Sequence, residues 1–299
     1  MSAQVLLDTG TPDFLITAEK DIANFRNYVN SDRQEIVTRH YTMMRKNQTL
    51  NFSKKMAKKY DFSDDKHRRM MTVREAFQEL LTYVDSSDPD AELPNRIHML
   101  QTAEGLRKAG HPEWMQVTGL IHDMGKIMFL WGAEEDGQVG TAEGPQWALG
   151  GDTWVVGCAL PDCCVFPELN TTNPDMQNPL LNSECGMYER GCGFEKLEFA
   201  YGHDEYMYQM LLANKIPLPA EGMAMIRYHS CYPWHTGGAY RQFMTEKDHT
   251  LLKWVLEFNK CDLYTKDNDV EGFMKNEEQL WEYYDALLDK FGMGGPLKW

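Results

Sequence analysis

LIHDMGKIMFLWG, residues 120–132, decides how the chain is read. At helical spacing Leu120, Ile121, Met124, Ile127, Met128 and Leu130 form an apolar interior, yet the same stretch carries His122, Asp123 and Lys126. An unpaired buried charge costs several kcal/mol, so these three groups need partners.

His122 and Asp123 are neighbours, so their side chains diverge by about 100° around a helix. Both reach one small ligand only at a helix edge facing a cavity, where a bridging carboxylate would touch two metals. Lys126 follows on the same side. Taken alone, the dipeptide reads as a hydrogen-bonded pair beside a snorkelling lysine. Further ligand types stand on other expected helices: His98 in PNRIHMLQTAEG, His203 in GHDEYMYQ, His229 in MAMIRYHSCYPWH and Asp262 in FNKCDLYTK. Singly each is more ordinary as a structural residue. Together they supply four imidazoles and two carboxylates, enough for two metals, and a set without thiolate favours iron, manganese or zinc.

Periodicity near 3.6 predicts helices over 17–29, 33–47, 72–84, 95–109, 112–131, 195–214, 219–230, 246–265 and 276–291. Gly110 and Pro112 interrupt the run between His98 and His122, so those two meet only if the helix folds back. Residues 132–193 hold many glycines and prolines and read as long loops with at most a minor β ribbon. An all-α single domain with a loop-rich cover follows.

The 299 residues, 42% hydrophobic, suffice for a real core. Thirty basic against 45 acidic side chains leave a net charge of −15, which argues against nucleic acid and anionic membrane surfaces as partners. The N-terminus lacks the basic and apolar segments of a signal peptide, and no apolar run reaches membrane-spanning length. Seven cysteines without a CxxC pair read as reduced thiols. A soluble cytoplasmic monomer is the expectation. Among the other histidines, His40 reads as a helix-face residue, His67, His111 and His249 as solvated, and His235 either as a structural residue or as a supporting group for His229. Trp131, Trp147 and Trp154 read as core residues that could also wall a cavity, and Cys231 and Cys261 as packing groups.

Over nearly its whole length the chain resembles the myo-inositol oxygenases, di-iron enzymes of the HD-domain superfamily. The likeness runs through FRNY (25–28), DSSDPD (85–90), QTAEG (101–105), HDMGK (122–126), PQW (145–147) with GDT (151–153), GHDEYMYQ (202–209), HSCYPWHTG (229–237), FNKCDLYTK (258–266) and the final LKW. The resemblance implies a five-helix HD core with additional helices, spanning 1–299, with 1–30 as an N-terminal arm. It implies O₂-dependent ring cleavage of myo-inositol to D-glucuronate, the first step of inositol catabolism. It assigns His98, His122, Asp123, His203, His229 and Asp262 to two iron ions, Asp123 bridging. Mixed-valent Fe(II)/Fe(III) and a bridging hydroxide or water are implied too. Arg26, Asp85, Lys126, Gly151, Asp152, His229, Ser230 and Lys266 fall to the substrate, with Lys126 and Asp123 in catalytic roles.

The chain departs from the animal pattern at GAEEDGQVGTAEG, 132–144, which reads as a surface insertion, or else as an altered lid. Two rival functions remain at this stage. An HD-type metal-dependent phosphohydrolase would want free cations for phosphate, and a helical binding protein with a vestigial site would have lost ligands.

Overall fold

Thr72 opens one helix with a reciprocal cap: its hydroxyl accepts from Glu75 N, and the Glu75 carboxylate accepts from the Thr72 backbone. The computed structural model describes residues 25–29, 31–63, 66–90, 93–141, 143–264 and 275–299. Its helices are α1 (Gln34–Asn47), α2 (Leu50–Lys59), α3 (Val73–Glu79), α4 (Asn95–Lys108), α5 (Glu113–Ile121), α6 (His203–Ala213), α7 (Ala220–Tyr228), α8 (Tyr232–His235), α9 (Glu246–Tyr264) and α10 (Glu277–Lys290). The one described sheet is a two-stranded antiparallel ribbon, β1 (Met70–Met71) against β2 (Leu297–Lys298). The fold is mainly α, as expected, and no described helix is long and apolar enough to cross a membrane.

The stretch that opened the reading departs from one continuous helix. α5 ends at Ile121, His122 caps it, and Met124–Leu130 tighten into a 3₁₀ segment in which Lys126 N bonds Asp123 O at 3.1 Å. Gly125 explains the tightening: a Cβ there would lie 2.0 Å from the His203 carbonyl oxygen, so this backbone and the start of α6 touch directly. The helix expected over 195–214 begins only at His203. Phe194–Lys196 form a short 3₁₀ turn, and after it the chain runs with Phe199 bridged to Val155 and Ala200 N bonded to Trp154 O. α3 is shorter than expected. α2 was not expected at all; Thr49 caps it by accepting from Phe52 N. Of the helix expected over 17–29, residues 17–24 lie outside the described residues, and 25–29 form turns and bends.

α4 packs on α5 and α9, α6 on α7 and the 3₁₀ segment, and α7 on α9. Gly119 permits the first contact, since a Cβ there would meet Leu106 Cδ1 at 2.6 Å. Two apolar cores result. One joins α2 to α6 and α10 around Phe77, Leu120, Tyr206 and Trp281; the other joins α1, α7 and α9 to the loop-rich cover around Trp154, Phe194 and Trp234. Trp147 and Trp154 are buried in the second. Burial pushes the Cys158, Cys164 and Cys261 thiols up to about 12, and all seven cysteines are free.

Segment 132–144 is not confined to the surface. Asp136 and Gln138 are buried, Lys55 and Lys59 pair with the Asp136 carboxylate at 2.6 and 2.8 Å, and Gly137 lies against Trp147. Its residues Glu134, Glu135, Glu143 and Gly144 border a cavity of about 590 Å³ with Arg39 and His40.

Candidate metal centre and polyol cavity

Three imidazoles are oriented by backbone carbonyls, two from their own helix turn and that of His203 from a distant segment. His122 Nδ1 lies 2.8 Å from Gly119 O, His203 Nδ1 2.6 Å from Leu149 O, and His229 Nδ1 3.1 Å from Ile226 O. A carbonyl accepts only from N–H, so in the neutral ring Nδ1 carries the proton and Nε2 keeps its lone pair. These Nε2 atoms converge with carboxylate oxygens. His98 Nε2 is 2.9 Å and His122 Nε2 3.2 Å from Asp262 Oδ1, while His203 Nε2 and His229 Nε2 stand 3.2 and 3.5 Å from Asp123 Oδ1. The other oxygen of Asp123, Oδ2, faces the first pair at 3.8 Å from His98 and 3.6 Å from His122.

Two clusters therefore share one carboxylate. His98, His122 and Asp123, and Asp123, His203 and His229, each bring their ligand atoms within 4.8 Å of one another and could hold a metal ion. His122 Nε2 is buried without a hydrogen-bonded partner although Asp262 Oδ1 is near. His203 Nε2 and His229 Nε2 lie 3.2 Å apart. Lone pairs facing each other at such distances call for a cation between them, and a set of imidazole and carboxylate donors suits iron or zinc.

Buried charge sets the electrostatics. Burial opposes ionisation of Asp123, but Lys126 and His122 hold its carboxyl well below the usual range; His122 and His98 do the same for Asp262. Burial lowers the His203 imidazole, yet Asp204 and Asp123 outweigh it and raise it to about 10 in the metal-free chain.

Lys126 sits beside the shared carboxylate with its three protons taken. Its Nζ donates to Asp123 Oδ2 at 2.7 Å and Asn95 Oδ1 at 2.9 Å, and pairs with Asp85 Oδ2 at 2.8 Å. Burial opposes its charge, and the two carboxylates nonetheless raise it above the ordinary lysine value. The 3₁₀ geometry, not an α-helical face, aims it there.

A cavity of about 90 Å³ opens over this cluster. It is lined by Arg26, Asp85, Lys126, Gly151, Asp152 and Ser230 together with His98, Asp123, His203, His229 and Asp262. Every residue the sequence placed at the site lies here except His122, buried behind it, and Lys266, which is outside the described residues. Arg26 Nη2 donates to Asp152 Oδ2 at 2.6 Å and stacks 3.3 Å from the Tyr232 ring centre. Gly151 takes φ +93°, a conformation L side chains rarely adopt, and His40 braces the same turn by contacting Gly150 O and Ser86 Oγ. His40 is thus structural, as read. His235 Nε2 donates to His229 O at 2.8 Å, which agrees with the supporting alternative. His249 is exposed, but His67 and His111 are half-buried, and His111 lies 3.4 Å from Glu257. None of the described residues of 132–144 lines this cavity.

Three residues at the site were missed. Asn95 stands at the start of an expected helix, Tyr232 inside the HSCYPWHTG motif and Asp204 beside His203, and none of them is singled out by its spacing. Asp204 Oδ1 is 2.8 Å from His203 Nε2 and accepts from Ser230 Oγ at 3.1 Å. The available signal was a second His–Asp dipeptide, His203–Asp204, echoing His122–Asp123.

A profile of the family described as Myo-inositol oxygenase matches residues 34–299. The chain is 45% identical to an "Inositol oxygenase" of Sus scrofa over 286 residues, 95% of each chain. It is 42% identical to an "Inositol oxygenase" of Homo sapiens over 291 residues, covering 96% of this chain and 95% of that one. A "Probable inositol oxygenase" of Oryza sativa subsp. japonica is 38% identical over 301 residues, covering 100% of this chain and 92% of its own. With a shared carboxylate between two imidazole pairs beneath a polar cavity, and a match of this extent, the chain belongs to the myo-inositol oxygenase family.

Proposed function

We propose that this member of the inositol oxygenase family holds two iron ions and cleaves the ring of myo-inositol with O₂ to give D-glucuronate. The supporting observation is the split of Asp123, with Oδ1 toward His203 and His229 and Oδ2 toward His98 and His122. His98, His122 and Asp262 would hold one iron, His203 and His229 the other, and Asp123 both. Such a mixed-valent iron pair would supply O₂ activation and Lewis acidity.

The chain's own groups do the rest. A neutral cyclic polyol is held by directional hydrogen bonds, and Arg26, Asp85, Asp152, Ser230 and the Gly151 backbone offer donors and acceptors around one cavity. Lys126 spends its three N–H bonds on the chain, so its ammonium acts through charge alone, favouring a nearby substrate oxygen that has lost its proton. The role of Lys266 is proposed on sequence alone. Free buried thiols and the acidic surface fit a cytoplasmic monomer acting at the start of inositol catabolism.

The phosphohydrolase alternative lacks its cations. Arg26 and Lys126, the basic residues lining the cavity among those described, are each engaged by carboxylates. The deciding experiment loads the chain with iron without oxygen, then adds inositol and O₂. Two irons per chain and oxygen uptake matched by glucuronate are expected; phosphate release from a phosphomonoester without oxygen uptake would overturn the reading. In the same assay Gly151→Ala is expected to raise KM. Its added Cβ would stand 3.0 Å from His40 Nε2 and Met44 Sδ at a strained φ, destabilising the chain by about 1–3 kcal/mol. An unchanged melt and KM would remove the rigid turn from the binding argument.

A further inference from the structure

We infer that Arg33, at the start of α1, is a positioning residue for the polyol: it clamps the loop that carries Asp85 and, through Asp90, steadies the backbone of Arg26. The inference rests on the proposed inositol oxygenase reading and adds to it a residue that stands outside the cavity lining.

The segment DSSDPD, 85–90, crowds Asp85, Asp88 and Asp90 into one short loop, where like charges repel. Yet every residue of it except Ser86 lines the polyol cavity, so the loop has to hold a shape against that repulsion. Local bonds supply part of the hold: Asp85 Oδ1 accepts from Ser87 N and Asp88 Oδ1 from Asp90 N, each at 2.7 Å. Both bonds use side-chain oxygens and leave the main-chain carbonyls of Asp85 and Asp88 to be satisfied from elsewhere. Arg33 satisfies both. Its Nη2 donates to Asp85 O at 2.9 Å and its Nη1 to Asp88 O. A guanidinium keeps its N–H vectors fixed in one plane, so a single side chain sets the spacing of two points on the loop and places a positive charge beside its carboxylates.

The clamp has a firm base. Arg33 O accepts from Val37 N at 3.0 Å, and Val37, Tyr41 and Met44 seat α1 in the second core. On its far side the loop meets two of the groups offered to the polyol. Asp85 Oδ2 pairs with Lys126 at 2.8 Å, and the Asp90 carboxylate accepts from Arg26 N at 2.9 and 3.1 Å. Arg26 takes φ +58°, a left-handed conformation uncommon for a residue with a side chain, so its backbone needs an outside hold if the guanidinium is to meet Asp152. His40 touches the same loop at Ser86 Oγ, so loss of Arg33 loosens the loop without releasing it.

The test uses the full chain loaded anaerobically with ferrous iron and assayed for oxygen uptake against inositol concentration, with iron content and melting temperature taken on the same samples. Arg33→Gln is expected to raise KM roughly tenfold while kcat stays within about twofold and iron content matches the parent's. Arg33→Lys, which keeps the charge but not the planar fork, is expected to fall between the two, with KM raised severalfold. Asp90→Asn should raise KM as well, and because both residues act through one loop, the Arg33→Gln/Asp90→Asn double variant should raise it by less than the product of the single effects. A parent-like KM in Arg33→Gln, or a KM that rises only together with a fall in iron content and kcat, would overturn the inference and leave the inositol oxygenase reading standing. A parent chain that takes up no oxygen with inositol would overturn both.

Discussion

Lys126→Ala is expected to keep both irons and lose turnover, by roughly 10²–10³-fold in kcat. That is the range seen when one preorganised group stabilising developing negative charge is removed. The expectation comes from position: Nζ is bonded to the carboxylate shared by both clusters and buried away from water, so its charge is weakly screened. Binding of the polyol depends mainly on Arg26, Asp85, Asp152 and Ser230, so KM should move much less than kcat. The alanine leaves Asp85 and Asp123 as close like charges, so the metal-free variant should be less stable than the metal-free parent. Iron would compensate Asp123 and restore most of the difference. Lys126→Arg should not rescue: a planar guanidinium cannot occupy the three-way cage of Asn95, Asp85 and Asp123 that a compact ammonium fills. Oxygen uptake with inositol, beside an iron assay of the same sample, decides the matter. Parent-like kcat would remove Lys126 from the chemistry.

The six metal-ligand candidates could be read from the sequence because each is a polar residue inside an apolar periodic run, an arrangement that needs a partner. The sequence could not say where the helix carrying His122 ends. The apolar spacing of Leu120 to Leu130 suits α and 3₁₀ turns alike, and the deciding fact is the contact of Gly125 with the His203 carbonyl, made by a segment about 80 residues away. α2 escaped notice because LNFSKKMAKK is short and lysine-rich, with little apolar stripe beyond Phe52 and Met56. Asp204 escaped because an acid in the first turn of a helix already has an ordinary explanation in the helix dipole. Asn95 was hidden for a similar reason, since asparagine at a helix start reads as local structure; only its tertiary contact with Lys126 gives it a place at the site. The loop-rich cover was legible from glycine and proline, but the burial of Asp136 beneath Lys55 and Lys59 was not, because charge pairing across distant segments leaves no periodic trace.

Stripping the metal should lower the melting temperature by roughly 10 °C or more. A ligand present at about a thousand times its Kd stabilises by ~4 kcal/mol, and each 1 kcal/mol is worth roughly 2–4 °C in a domain approaching this size. The sign follows from what is buried. Without metal, Asp123, Asp204 and Asp262 meet four imidazoles at hydrogen-bond distances, and the charges are balanced only if protons replace the ions. In the metal-free chain His203 is raised to about 10, so its pairing stabilises fully below its unfolded value near 6.5 and is lost as pH rises toward 10. Asp123 and Asp262 are depressed, so their contribution is present above their unfolded value near 3.8 and is lost as pH falls. Between pH 6.5 and 9 the metal-free chain should therefore weaken, while metal binds better because fewer protons compete for Nε2. The gap between metal-loaded and metal-free melting temperatures should widen over that interval, as scanning calorimetry with and without chelator would record. A gap that closes with rising pH, or a melt indifferent to chelator, would mean that the imidazole and carboxylate clusters satisfy one another without an ion.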